Sequence, residues 1–159
     1  MKTIIIGFSK SKKFLPIGSW LIRLFEQTPY SHVYLKFHSE SLNRTLIYEA
    51  VGSGVRFIGS TAWEQHAQEV ASFDVDIIQC NYITLLQYCI DNAGIEYGYM
   101  QNIGISLAKL LNLKTNPFQT GKNCSELVSE ILKVEGFKPV INKDLITPKD
   151  VYNMLKHNK

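Results

Sequence analysis

The order in which β-prone and helix-prone segments follow one another constrains this chain most. Residues 30–37 (YSHVYLKF) and 44–51 (RTLIYEAV) are rich in β-branched and aromatic residues and are joined by the polar stretch HSESLN, the pattern of a hairpin. Gly52-Ser53-Gly54 turns the chain into a third run, residues 55–58, and residues 3–8 (TIIIGF) and 73–79 (FDVDIIQ) read as further strands. Helical spacing sets in at residues 17–27, where Trp20, Leu21, Leu24 and Phe25 recur before Thr28-Pro29 stops the helix. It returns in a short piece at 61–67, at 82–93 with Gly94 at its C-terminal cap, at 99–112, from Cys124 to about Glu135 before Gly136, and after Thr147. Strands crowd the first half of the chain, which predicts an α+β fold rather than a doubly wound sheet.

A chain of 159 residues with 45% hydrophobic and 19% charged residues is expected to form one domain, residues 1–159, with a core of its own. Its net charge of +3 is too small to argue for nucleic acid. Lys10, Lys12 and Lys13 read as a solvated loop. The apolar run Ile4–Ile6 is too short for a signal peptide or a transmembrane segment. The chain is therefore expected to start out cytoplasmic, and to be extracellular only if lysis releases it. The three cysteines, Cys80, Cys89 and Cys124, show neither disulfide nor zinc spacing. No cofactor or metal is expected, and the sequence is silent on oligomeric state.

Cys80 and Cys89 read as buried apolar residues, the first ending a strand and the second inside a helix. Cys124 stands in a different context, Gly121-Lys122-Asn123-Cys124-Ser125-Glu126. Asn123 is a strong N-cap and Glu126 sits at the capping-box position, so Cys124 becomes the first residue of a helix. There the free backbone N–H groups and the positive end of the helix dipole favour a thiolate, with Lys122 next door. His32 opens the hairpin. With the turn centred between Glu40 and Ser41, it falls opposite Glu49, and a carboxylate beside an imidazole can fix its tautomer and stabilise its charge. The plain alternatives are a buried structural thiol and a cross-strand surface pair. His38, His66 and His157 read as surface residues, with His66 a fallback base.

These pieces, in this order, resemble the circularly permuted branch of the NlpC-type papain-like superfamily, which includes the YiiX-like proteins of bacteria and phages and, more distantly, lecithin–retinol acyltransferase. The resemblance covers roughly residues 3–155. It rests on Ser31-His32-Val33, Tyr48-Glu49-Ala50 with Gly54-Val55, Glu96-Tyr97-Gly98-Tyr99, Asn123-Cys124-Ser125-Glu126-Leu127-Val128 and Thr147-Pro148-Lys149-Asp150. It implies an antiparallel sheet packed against the cysteine helix, with Cys124 as nucleophile, His32 as base and Glu49 as third member. Tyr30 and Asn123 are candidate oxyanion or positioning residues, beside the Cys124 backbone N–H. The expected activity is amide hydrolysis through a Cys124 thioester, on a peptide or peptidoglycan fragment. A lipid-directed thioesterase or acyltransferase working on an acyl lipid, and a non-catalytic binding module, are the alternatives. The apolar stripe at 103–113 motivates the lipid reading, although packing of that helix on the core explains the stripe better.

Overall fold

The computed structural model describes residues 2–12, 17–40, 42–77, 79–118, 121–134 and 145–157. Five strands, β1 (Lys2–Ser11), β2 (His32–Ser39), β3 (Arg44–Val51), β4 (Gly54–Gly59) and β5 (Ala67–Ile77), form one antiparallel sheet in the order β4-β3-β2-β1-β5. Six helices are described: α1 (Ile17–Glu26), α2 (Ser60–Trp63), α3 (Gln79–Asp91), α4 (Tyr99–Leu110), α5 (Cys124–Val134) and α6 (Pro148–His157). The architecture is α+β. No described helix is long and apolar enough to cross a membrane.

Strand alternation divides the sheet into two faces. Ile4, Ile6, Phe8, Val33, Leu35, Phe37, Tyr48 and Ala50 form the main core with Leu127, Val128, Ile131 and Leu132 of α5, which packs on β2 and β3. Tyr34 and Ile47 point the other way and build a small second core with Trp63 of α2. Gly7 makes room for it. A Cβ on Gly7 would lie 2.3 Å from Cζ of Tyr34, its partner across the ladder.

The elements depart from expectation in several places. The strand foreseen at 73–79 begins at Ala67, and the helix foreseen at 61–67 is cut to the single turn Ser60–Trp63. β5 lies at the sheet edge and is half exposed over most of its length, so its apolar alternation is weak in sequence. Lys10 belongs to β1 rather than to a loop, while Lys12 is exposed just beyond it and Lys13 lies outside the described residues. Cys80 sits in the first turn of α3, not at a strand end; its side chain, like that of Leu21, is not among those described. The expected helix end at Gly136 also lies outside the described residues.

The hairpin register differs too. β2 and β3 pair Leu35 with Tyr48 and Ser39 with Arg44, so the turn is centred one residue later than expected and every partner moves by two. Asn43 takes up the difference with a positive φ of 46°, a conformation asparagine tolerates. A shift of two preserves the faces, so His32 and Glu49 remain on the same side of the sheet, diagonal instead of opposite.

Candidate active site

The nucleophile position is built locally. Asn123 Oδ1 accepts the Glu126 N–H at 2.8 Å, and Leu127 N–H donates to Asn123 O at 3.1 Å, so Cys124 opens α5 as its cap sequence requires. The loop before it is held by its backbone. Lys122 N–H donates to Glu96 O and Gly98 N–H to Lys122 O, a short parallel bridge between 97 and 122. Gly121 has φ +72°, and a Cβ there would stand 2.7 Å from Glu96 O, so only glycine fits. Gln101 of α4 donates from Nε2 to Gly121 O at 2.9 Å and accepts at Oε1 from Asn123 Nδ2 at 3.1 Å.

Cys124 and His32 come from opposite faces of the sheet. They meet because each is the first residue of its element, where α5 reaches the open end of β2. The Cys124 thiol faces the His32 ring and the backbone N–H of Val33, both of which act on its ionisation, and lies 3.9 Å from the Ser125 hydroxyl. Only 3% of Cys124 is exposed. Burial alone would raise its pKa, but the His32 charge, the bonds from His32 and Val33 and the neighbouring Ser125 hydroxyl hold it below the ordinary thiol value. His32 moves the opposite way. Burial would lower it, but the negative charge and hydrogen bond of Cys124, followed by those of Glu49, raise it. The two shifts run in the directions that favour an imidazolium–thiolate pair.

Glu49 supports the base. Its Oε2 accepts from His32 Nε2 at 3.1 Å. The same oxygen accepts Trp63 Nε1–H at 3.0 Å, and Oε1 accepts Arg56 Nε and Nη2 at 3.1 and 2.8 Å. Burial would raise the Glu49 pKa, but His32 and Arg56 bring it down to about 2. Trp63 is fixed in turn by the Tyr34 ring, 4.5 Å away between centroids, and the Tyr34 hydroxyl donates to Glu69. A line of contacts thus runs from the gap at Gly7 through Tyr34, Trp63 and Glu49 to His32.

The remaining candidates are placed differently. Tyr30 packs between Phe8 and Tyr152, at 5.0 and 5.3 Å between centroids, and burial, followed by the nearby Tyr152, Glu26 and Asp150, raises its pKa. Its phenol belongs to the core beside α6, which corrects the oxyanion reading in favour of packing. Asn123 engages its side-chain oxygen with the Glu126 N–H and its amide with Gln101 Oε1, so it positions the helix start. Lys122 does not assist the thiol. Its ammonium is committed to Glu130 (2.6 Å), the Tyr88 hydroxyl (3.0 Å) and Asn92 Oδ1 (3.1 Å), which ties the loop to α3 and α5. Cys89 is buried with its pKa pushed up to about 12, as suits a structural thiol. His38, His66 and His157 are exposed. Among the described residues, no group of three or more His, Cys, Asp or Glu is placed to hold a metal ion.

Sequence reasoning missed Trp63, Arg56 and Gln101. Arg56 had a legible signal, because it stands directly across the β3–β4 ladder from Glu49. Trp63 and Gln101 had none, since their partners are brought to them by folding. No family model and no curated protein matches the chain, so the geometry alone carries the functional argument.

Proposed function

We propose that this chain is a cysteine hydrolase that cleaves an amide bond through a thioester on Cys124, in a permuted papain-like domain. The single observation that carries the reading is the relay Cys124–His32–Glu49. The thiol at a helix start is coupled to the His32 ring, and Nε2 of that ring is held by a buried carboxylate. The chain order of base, carboxylate and then cysteine, with α5 packed on β2 and β3, supports the permuted arrangement.

In this mechanism the thiolate attacks the amide carbonyl carbon. The oxyanion that forms lies near the Cys124 backbone N–H, one of the unsatisfied donors of the α5 N-terminus. Protonated His32 gives its proton to the leaving nitrogen, and the C–N bond breaks to leave an acyl thioester. His32, now neutral, takes a proton from water, which attacks the thioester and regenerates the thiolate and the imidazolium. Glu49 keeps the ring oriented and its positive charge compensated throughout.

Incubation with muropeptides and short peptide amides, read by mass spectrometry, tests this proposal. An acyl adduct mapping to Cys124, and absent in Cys124→Ala, is the expected result. Turnover that persists in Cys124→Ala refutes it. The exposed apolar stripe of α4 favours a second reading, the same thioester chemistry on an acyl lipid, and short acyl esters in the same panel distinguish the two.

A further inference from the structure

Helix α4 turns Gln101, Gly104, Ile105 and Ala108 inward, while Ile103, Leu107 and Leu110, followed by Leu111 and Leu113, are exposed. Core packing, expected to explain the apolar stripe at 103–113, therefore accounts for Ile105 and Ala108 only. The inward side also carries an amide. Gln101 is 8% exposed, and a buried amide is tolerated only where its donors and acceptors are matched. It lies where three loops meet. Its backbone N–H donates to Gly98 O at 3.0 Å, its backbone carbonyl accepts from Asn116 Nδ2 at 3.0 Å, and its side chain reaches Gly121 and Asn123. Asn116 Oδ1 in turn accepts the Phe118 N–H at 2.9 Å. Gly104 lets that amide approach, since a Cβ there would stand 1.8 Å from Asn116 Oδ1.

The sense of every hydrogen bond from Gln101 to the cysteine helix is fixed from both ends. Gly121 O can only accept, so it takes the amide nitrogen of Gln101 at 2.9 Å and turns Oε1 toward Asn123. Oε1 can only accept, so it takes Nδ2–H of Asn123 at 3.1 Å. That leaves Oδ1 of Asn123 for the Glu126 N–H, which can only donate, at 2.8 Å. An asparagine turned over would set its amide nitrogen against that N–H and leave the first turn of α5 uncapped. Gln101 thus selects the one orientation of Asn123 that caps the helix, and Cys124 is the first residue inside that cap.

We propose that Gln101 is a positioning residue of the candidate active site: it locks the Asn123 amide and, through that cap, keeps the positive end of α5 at the Cys124 sulfur. The proposal rests on the hydrolase reading, in which that sulfur is the nucleophile. The ionisable groups about the thiol are His32 of β2, backed by Glu49 of β3 and Arg56 of β4, with Lys122 and Glu126 beside it in the chain. A neutral substitution at Gln101 alters none of them, so the change it brings to the thiol passes through Asn123.

The test is the pH dependence of iodoacetamide labelling at Cys124, with Cys89 as internal control. Gln101→Met and Gln101→Leu are neutral, keep most of the volume and lose both side-chain hydrogen bonds. In each the acid limb of the profile is expected to move up by about half to one pH unit, the equivalent of a weakened cap. Asn123→Ala should move it in the same direction, and Gln101→Met in that background should move it no further, because the residue it acts through is gone. In the wild type, hydrogen exchange should find the Glu126 N–H protected. A wild-type profile in either folded Gln101 variant overturns the proposal, as does a double variant displaced well beyond Asn123→Ala, which would make the role one of packing. An unprotected Glu126 N–H overturns it even if no Gln101 variant folds. A wild type whose Cys124 labels no faster than Cys89 near pH 6–7 overturns the hydrolase reading and this proposal together, whereas the other outcomes leave that reading standing.

Discussion

Replacing Glu49 by glutamine removes one negative charge and almost no volume. The carboxylate faces only donors, His32 and Trp63 at Oε2 and Arg56 twice at Oε1. A glutamine keeps one oxygen and must turn its amide nitrogen toward one of these pairs. Trp63 is buried and cannot leave, whereas Arg56 is 40% exposed and can swing into water. The oxygen is therefore expected to stay with His32 and Trp63, so that geometry is kept and charge is lost. A hydrogen bond to a charged group contributes about 1.5–3 kcal/mol, which corresponds to about a ten- to hundredfold loss of the imidazolium–thiolate pair relative to the neutral pair. The assay is the pH dependence of iodoacetamide labelling at Cys124, followed by mass spectrometry with Cys89 as the internal control. In Glu49→Gln the acid limb of the profile should move up by about one to two pH units, with melting evidence of an intact fold. An unchanged profile in a folded variant would refute the claim that Glu49 charge sustains the pair.

Three further outcomes follow from the same geometry. Gly7→Ala drives a Cβ into the Tyr34 ring, so it should cost about 1–3 kcal/mol or more in urea unfolding and also alter the Cys124 labelling profile through Trp63; a variant as stable as wild type contradicts the packing argument. Trp63→Phe keeps the stacking on Tyr34 but removes one donor to Glu49, so the acid limb of Cys124 labelling should shift, and a profile identical to wild type counts against the relay. Because the folded Glu49 pKa is depressed from 4.5 to about 2, its stabilisation is complete above pH 4.5 and is lost as pH falls toward 2, a change of about 3 kcal/mol by linkage; urea midpoints measured across that range should fall more steeply in wild type than in Glu49→Gln.

The sequence alone determined whatever depends on a few neighbouring residues. Asn123 and Glu126 capped α5 and so put Cys124 at its first position, because capping is satisfied within one turn of chain. Thr147 and Asp150 did the same for α6, where Thr147 N–H meets Asp150 Oδ2 at 3.0 Å. Alternation put His32 and Glu49 on one face of the hairpin, and that survived a register error because the error was even. Tertiary structure decided everything that required distant segments to meet. It brought the end of β2 to the start of α5, closed Trp63 over Tyr34 in the space left by Gly7, and occupied the Lys122 ammonium with Glu130. It also decided which apolar residues of α4 are covered. Periodicity marks a helix side as apolar, but two apolar sides look alike until one of them has been packed. In this protein the buried side holds the loop of Cys124, and the side left open is the surface that distinguishes the chain from a simple packed helix.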